Sequence, residues 1–217
     1  MKDPAKITAH ELATAIQDQL LALPIRGGER IFEAQIARDL GVNRPLVREA
    51  CRILGSEGLL SYTHNKGFAI KKLTPESVLH LIEFRIILER AAFSAVARLD
   101  DRTKVVERME KAYDELVRVC EEKNPATQVS TDLAFHRVVI EETRNPWIIQ
   151  SYMRLITQFR YATRLMSRSL SDFQVHPPTH LVLIDCVKAG DPAWAEEEIK
   201  KHIEVFIPNI LQHIEYE

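Results

Sequence analysis

Arg44, Arg48 and Arg52 stand four residues apart, which places three guanidinium groups within about 80° of arc on one side of a helix. Leu46, Val47, Ala50, Ile53 and Leu54 fall on the other side. Such a helix can lie in a DNA major groove, its apolar side docked on its own domain while forked donors reach phosphates and guanine edges. The competing reading is a surface helix whose arginines are only solvated. A second constellation lies further along. Asp132 and His136, four apart, share one helix face. His180 stands in a stripe with Ile184 and Val187, and His202 in one with Ala195, Ile199 and Phe206. One carboxylate and three imidazoles on or beside apolar faces of three helices are a donor set with which a helical bundle can hold a divalent metal. Burial disfavours the imidazolium and keeps those nitrogens available. Against this, a histidine on an apolar face is commonly a core residue with one hydrogen bond, and the chain has 8 histidines. His80 reads as core, His10 and His213 as surface or partly packed, and His176 as a loop residue.

The elements that must position these groups follow from turn and cap residues. Phe32, Ile36, Ala37 and Leu40 make a short amphipathic helix, Gly41 suits its left-handed exit, and Asn43 caps a second helix over 44–56. Arg44 and Pro45 fill the first turn, where a proline removes no hydrogen bond. Helix, tight turn and basic helix are the helix-turn-helix layout. Leu59–Tyr62 and Gly67–Ile70 read as two strands joined through His64, Asn65 and Lys66, a wing. The DNA-facing set is then Asn43, Arg44, Arg48 and Arg52 with His64, Lys66 and Gly67. Arg44 and Arg48 would reach bases and phosphates, and Arg52 and Lys66 mainly phosphates or the minor groove.

The remainder reads as helix throughout. Thr8 caps a helix over 9–22, residues 24–31 form a loop, and Thr74-Pro75-Glu76 opens a long helix over 75–98. Further helices are expected over 101–122, 127–143, 146–168, 178–189 and 192–215, broken at Asn124-Pro125, Asn145-Pro146, Pro177-Pro178 and Gly190-Asp191-Pro192. The fold class is mainly α: a winged helix-turn-helix over 1–73 and an all-α bundle over 74–217. Arg85 shares a face with Leu81, Leu88 and Ala92, and a buried cation needs a partner. That partner is either the carboxylate of a bound acid, gripped bidentately, or Glu89 or another bundle carboxylate in a purely structural pair. Arg160 and Arg164 are weaker candidates on a helix expected to line the same cavity, and Asn145 caps that helix.

Composition agrees with this division. The 217 residues include only 7 glycines, which disfavours an all-β fold, and 46% are hydrophobic, enough for a real core. The net charge of −2 conceals an asymmetry: residues 1–72 hold 11 Lys and Arg against 8 Asp and Glu, and the rest holds 18 against 23. A basic module on a mildly acidic body suits a protein that meets nucleic acid with one end. Cys51, Cys120 and Cys186 are too few and too scattered for a disulfide framework or a thiolate zinc site. No signal-peptide pattern and no membrane-spanning apolar run is read, so a cytoplasmic place is expected.

Taken together, Gly28-Glu29-Arg30-Ile31-Phe32-Glu33, Ile36-Ala37, Leu40-Gly41-Val42, Arg44, Val47-Arg48-Glu49-Ala50, Glu57-Gly58-Leu59 and the wing Asn65-Lys66-Gly67 with Ile70 resemble the GntR-family winged helix. Arg85-x-x-x-Glu89, Phe135 beside Asp132-x-x-x-His136, Asn145, His180 and Gly190-Asp191…Ala195…His202 resemble the FCD effector domain. The resemblance covers about 8–215. It implies a homodimeric regulator on a pseudo-palindromic double-stranded operator. A divalent ion, zinc first with nickel or manganese as alternatives, would sit at Asp132, His136, His180 and His202, where a small carboxylic acid binds as effector. Pro45-Leu46 replaces the Thr-Pro common in the family, Ala34 stands where some members carry an arginine, and Thr179 precedes His180 in place of a frequent glutamate. The first two bear on the operator sequence. Two rival readings are a repressor for which the ion is itself the signal, and a metal-dependent hydrolase. The latter lacks a His-Glu-x-x-His element and an evident general base.

Overall fold

A computed structural model describes residues 7–22, 26–122, 125–166, 175–205 and 207. Among them lie two compact units, Met1–Leu73 with Arg160–Arg168, and Thr74–Phe159 with Ser169–Glu217.

The first unit holds α1 (Ala9–Ala22), α2 (Glu33–Asp39), α3 (Arg44–Ser56), β1 (Leu60–Thr63) and β2 (Gly67–Ile70). Thr8 accepts from Glu11 N and Glu11 Oε2 accepts from Thr8 N, a reciprocal cap that starts α1. Gly41, at φ 65°, makes the left-handed turn that a side chain would resist, and the Asn43 side chain accepts from Leu46 N at 2.9 Å to begin α3. α1 packs along α3. The two strands are antiparallel, with Leu60 opposite Ile70 and Tyr62 opposite Phe68. Residues 28–31 run beside the free edge of β2, where Ile31 N donates to Phe68 O and Ile70 N to Glu29 O. Leu12, Ile16, Val47, Ala50, Leu54, Leu59, Phe68 and Ile70 close the core, and Tyr161 joins it, its hydroxyl donating to the Lys71 carbonyl.

The second unit is helical: α4 (Pro75–Ala97), α5 (Thr103–Glu121), α6 (Pro125–Glu142), α7 (Pro146–Met166) as far as Phe159, α8 (Leu181–Ala189) and α9 (Pro192–Glu204), with a 3-10 turn over Pro177–His180; α7 from Arg160 onward belongs to the first unit. Thr74 and Ser77 form a capping box at α4, Asn145 Oδ1 accepts from Trp147 N at 3.0 Å at α7, and Asp191 caps α9. Gly190 ends α8 at φ 70°; a Cβ there would lie 2.8 Å from the Arg102 guanidinium. α4 packs along α9 and α5 along α6. The expected helix over 178–189 differs at its start: with prolines at 177 and 178 the first turn is 3-10, and His180 sits where it passes into α8. His80 is exposed rather than core. α4 buries Arg85 and Glu89 and exposes Phe84 and Ile87, so polarity marks its sides poorly; its inner face runs through Val78, Ile82, Arg85, Glu89, Ala92 and Phe93. Residues 24–25, 167–168 and 208–215, with Phe206 and His213, lie outside the described residues.

Candidate metal centre and nucleic-acid interface

In the second unit α6 supplies Asp132 and His136, the 3-10 turn His180 and α9 His202. All four are buried, and one ligand atom from each lies within 4.8 Å of the others. His180 Nε2 donates to Asp132 Oδ1 at 3.0 Å, and His136 Nε2 stands 3.9 Å from Asp132 Oδ2. The rings of His180 and His202 approach to 4.4 Å between centroids, and Phe135 packs edge-on against His180.

Around these donors lies a buried ionic chain. His136 Nδ1 is 2.7 Å from Glu89 Oε2, and Glu89 Oε1 is 2.5 Å from Arg85 Nε. A ring proton on Nδ1 would face Glu89 and leave the Nε2 lone pair free, the tautomer a metal-ligating histidine adopts when a carboxylate stands behind it. Both His136 ring nitrogens are fully buried, and neither meets a partner in hydrogen-bond geometry. Arg85, 2% exposed, also reaches to 3.9 Å from Asp132 Oδ2 and lies over the Phe159 ring at 4.4 Å.

Electrostatics follow from that packing. Burial, then His136 and His180, push His202 well below the ordinary imidazole range and hold it uncharged. Burial alone would raise the Glu89 carboxyl, but Arg85 and His136 outweigh it and bring it to about 2. Burial likewise opposes ionisation of Asp132, yet the His180 hydrogen bond, with His136 and Arg85 nearby, takes it below the usual carboxylate range. One anionic oxygen ligand beside imidazole donors, with an orphaned Nε2 among them, fits a borderline divalent ion.

In the first unit, Arg44, Arg48 and Arg52 project from α3 with side chains 66%, 50% and 65% exposed, while Val47, Ala50, Cys51 and Leu54 are buried beneath them. Asn43 stands at the helix start. His64, Asn65, Lys66 and Gly67 form the exposed wing tip, where Arg30 Nη2 donates to Lys66 O at 2.5 Å. Phe32, Glu33, Ala34, Arg44, Arg48 and Tyr62 line a groove that runs to this wing. Its shape and its cations suit a duplex backbone and base edges.

Every expected metal-site side chain is therefore brought to one cluster; of the expected DNA-facing residues, Arg44, Arg48, His64, Lys66 and Gly67 line one groove, Arg52 lines a neighbouring hollow with Arg48 and Tyr62, and Asn43 caps α3. Arg85 lies in the metal cluster, paired with Glu89. Arg160 differs from expectation: it pairs with Asp18 at 3.2 Å in the first unit. The Arg164 side chain lies outside the described residues. Sequence reasoning missed Glu89 as the partner of His136, because the four-residue step from Arg85 accounted for it already. It gave no role to Glu33, Arg30 or Tyr62, which entered only as members of the family motif and of the first wing strand.

Comparison with known proteins gives consistent matches. Residues 80–205 match the FCD domain family, and residues 8–70 match the gntR family of bacterial regulatory proteins. The Nta operon transcriptional regulator of Aminobacter aminovorans is 30% identical over 184 residues, 82% of this chain and 85% of that protein. The gluconate operon transcriptional repressor of Bacillus subtilis is 22% identical over 208 residues, 91% of this chain and 82% of that one. The E. coli McbR/YncC structure has a TM-score of 0.81 at 15% identity, covering 98% of this chain and 99% of its own, a likeness of fold.

Proposed function

The chain belongs to the GntR family of bacterial regulatory proteins and carries an FCD domain, and from that premise we propose that it is a homodimeric repressor whose operator affinity is set by a small carboxylic acid bound at a divalent-metal site. The family is one of transcriptional regulators, so the chain is a regulator and not an enzyme, and the hydrolase alternative is set aside. No described helix is long and apolar enough to cross a membrane; we place the protein in the cytoplasm, with its DNA.

α3 enters the major groove. Arg44 and Arg48 reach guanine edges and nearby phosphates, Asn43 touches the backbone at the helix start, and Arg52 takes phosphate. Lys66 reaches a phosphate or the minor groove, with His64 and Gly67 beside it. Two copies place their recognition helices about one DNA turn apart on a pseudo-palindrome. In the bundle Asp132, His136, His180 and His202 would hold the ion, zinc first, with nickel or manganese as alternatives. When bound, it supplies a Lewis-acidic position for a carboxylate. Glu89 keeps the His136 Nε2 lone pair turned to the cluster, and Arg85 is the cation nearest an incoming acid, with Arg164 a second candidate. The acid changes DNA affinity only as far as it binds one arrangement of the dimer more tightly than another.

The convergence of four buried donors around an orphaned His136 Nε2 carries the effector half of this reading. It is tested by melting the full chain with mono-, di- and hydroxy-carboxylates, with and without chelator. At least one acid should raise the melting temperature by several degrees, and only while metal is bound. If no acid has a metal-dependent effect, the effector half fails. The near-complete burial of the four donors favours a second reading, in which the ion itself is the signal. Operator binding that follows metal and ignores every acid would select it.

A further inference from the structure

Glu33 opens α2 and sits between two arginines of the recognition stripe. Its Oε2 is 3.7 Å from Arg44 Nη2 and its Oε1 is 3.9 Å from Arg48 Nε. Both separations exceed hydrogen-bond length, so the carboxylate draws each guanidinium without using its N–H donors. The Glu33 side chain is only 13% exposed, held below the stripe. Glu49 makes a different kind of pair, 3.2 Å from Arg52 with both partners more than half exposed. Both carboxylates stand beside the arginines of α3, and each weakens attraction for any duplex.

We propose that Glu33 is a positioning residue for DNA reading, one that exchanges general affinity for discrimination. On a matching duplex Arg44 and Arg48 take guanine acceptors and still flank Glu33, which stays neutralised. On a mismatched duplex the arginines turn outward to phosphates and leave the carboxylate bare against a polyanion. Specificity is a difference of affinities, and a group that penalises the wrong partner widens it. This rests on the reading of α3 as the helix that meets DNA.

The test uses the full chain at one fixed salt concentration. Wild-type protein enriches a duplex from a random-sequence pool, and affinities are measured for that duplex and for poly(dI-dC). Glu33→Gln should bind poly(dI-dC) about threefold more tightly and lose about tenfold in the ratio of selected to unselected affinity, with an unchanged melting temperature. Glu49→Gln, which removes the same charge from the same face, should tighten both duplexes alike and keep the ratio within about twofold. The assignment is overturned if Glu33→Gln keeps the ratio, if Glu49→Gln lowers it equally, or if the loss maps to a single C·G pair, which would mean direct reading of cytosine N4. A wild-type chain that enriches no sequence removes the DNA-reading role of α3 itself. Enrichment with an unchanged Glu33→Gln ratio removes only the role of Glu33.

Discussion

The two units place their charges in opposite positions. In the winged helix an aliphatic core of Leu12, Ile16, Val47 and Leu54 carries arginines that stand outside it, half exposed or more. In the bundle Arg85, Glu89, Asp132, His136, His180 and His202 are themselves buried among Phe93, Phe135 and Val139. An exposed charge costs little to keep or remove, so the outer stripe is free to serve recognition. A buried charge is tolerated only in company, and here every charged side chain of the cluster has a neighbour of opposite sign or a lone pair. Recognition outside and coordination inside follow from where solvent can compensate charge.

The strongest way to break this contrast is to remove one charge from each place. Glu89→Ala leaves buried Arg85 with only the 3.9 Å contact to Asp132 and should destabilise the bundle by about 3–5 kcal/mol, whereas Arg48→Ala should change stability by no more than about 0.5 kcal/mol. The only two tryptophans, Trp147 and Trp194, both lie in the second unit, so their fluorescence in a denaturant melt reads the bundle for Glu89→Ala, and far-ultraviolet circular dichroism of the whole chain reads Arg48→Ala. A Glu89→Ala cost below that of Arg48→Ala would erase the distinction. Arg48→Ala should instead weaken binding to a selected duplex by about 1–3 kcal/mol, measured by titration at fixed salt; unchanged affinity would take Arg48 out of the interface.

Acid sharpens the contrast more gently. Folded His202 binds a proton less readily than its unfolded value of 6.5, and folded Glu89, at about 2, less readily than its unfolded value of 4.5. The unfolded chain therefore takes up more protons, and bundle stability is full above these unfolded values and falls as pH drops below them. The loss should begin near 6.5 through His202 and continue from 4.5 toward 2 through Glu89, at about 1.4 kcal/mol per pH unit for each group. In the winged helix burial pushes the Cys51 thiol up to about 12, which has no effect in acid. Tryptophan-monitored stability that is flat from pH 7 to 4 would contradict this. The smallest expected effect is local: Asn43→Ala removes the α3 cap and should cost about 1 kcal/mol, read in a denaturant melt of the first unit by circular dichroism.

Much of this was legible in the residues, and the exceptions share a cause. The spans 9–22 and 44–56 agree with α1 and α3 because Thr8, Gly41 and Asn43 act on their own backbone neighbourhood. His180 and His202 were traceable because each shares a stripe with apolar residues that must face inward. The link from Glu89 to His136 was not, since it joins α4 to α6 across the core and leaves no periodicity in either helix. Arg160 was placed on a cavity wall by its helix, yet it pairs with Asp18 of α1. His80 was misplaced because α4 buries Arg85 and Glu89 and exposes Phe84 and Ile87, so its apolar residues do not mark the inner side.

Calorimetric titration of zinc into chelator-stripped full-length protein tests the central claim most directly, that the buried imidazoles and Asp132 form one coordination site. The account predicts one ion bound per chain, and binding at least about 100-fold weaker in His136→Ala. No binding by the wild-type chain, or equal binding by the variant, would contradict it.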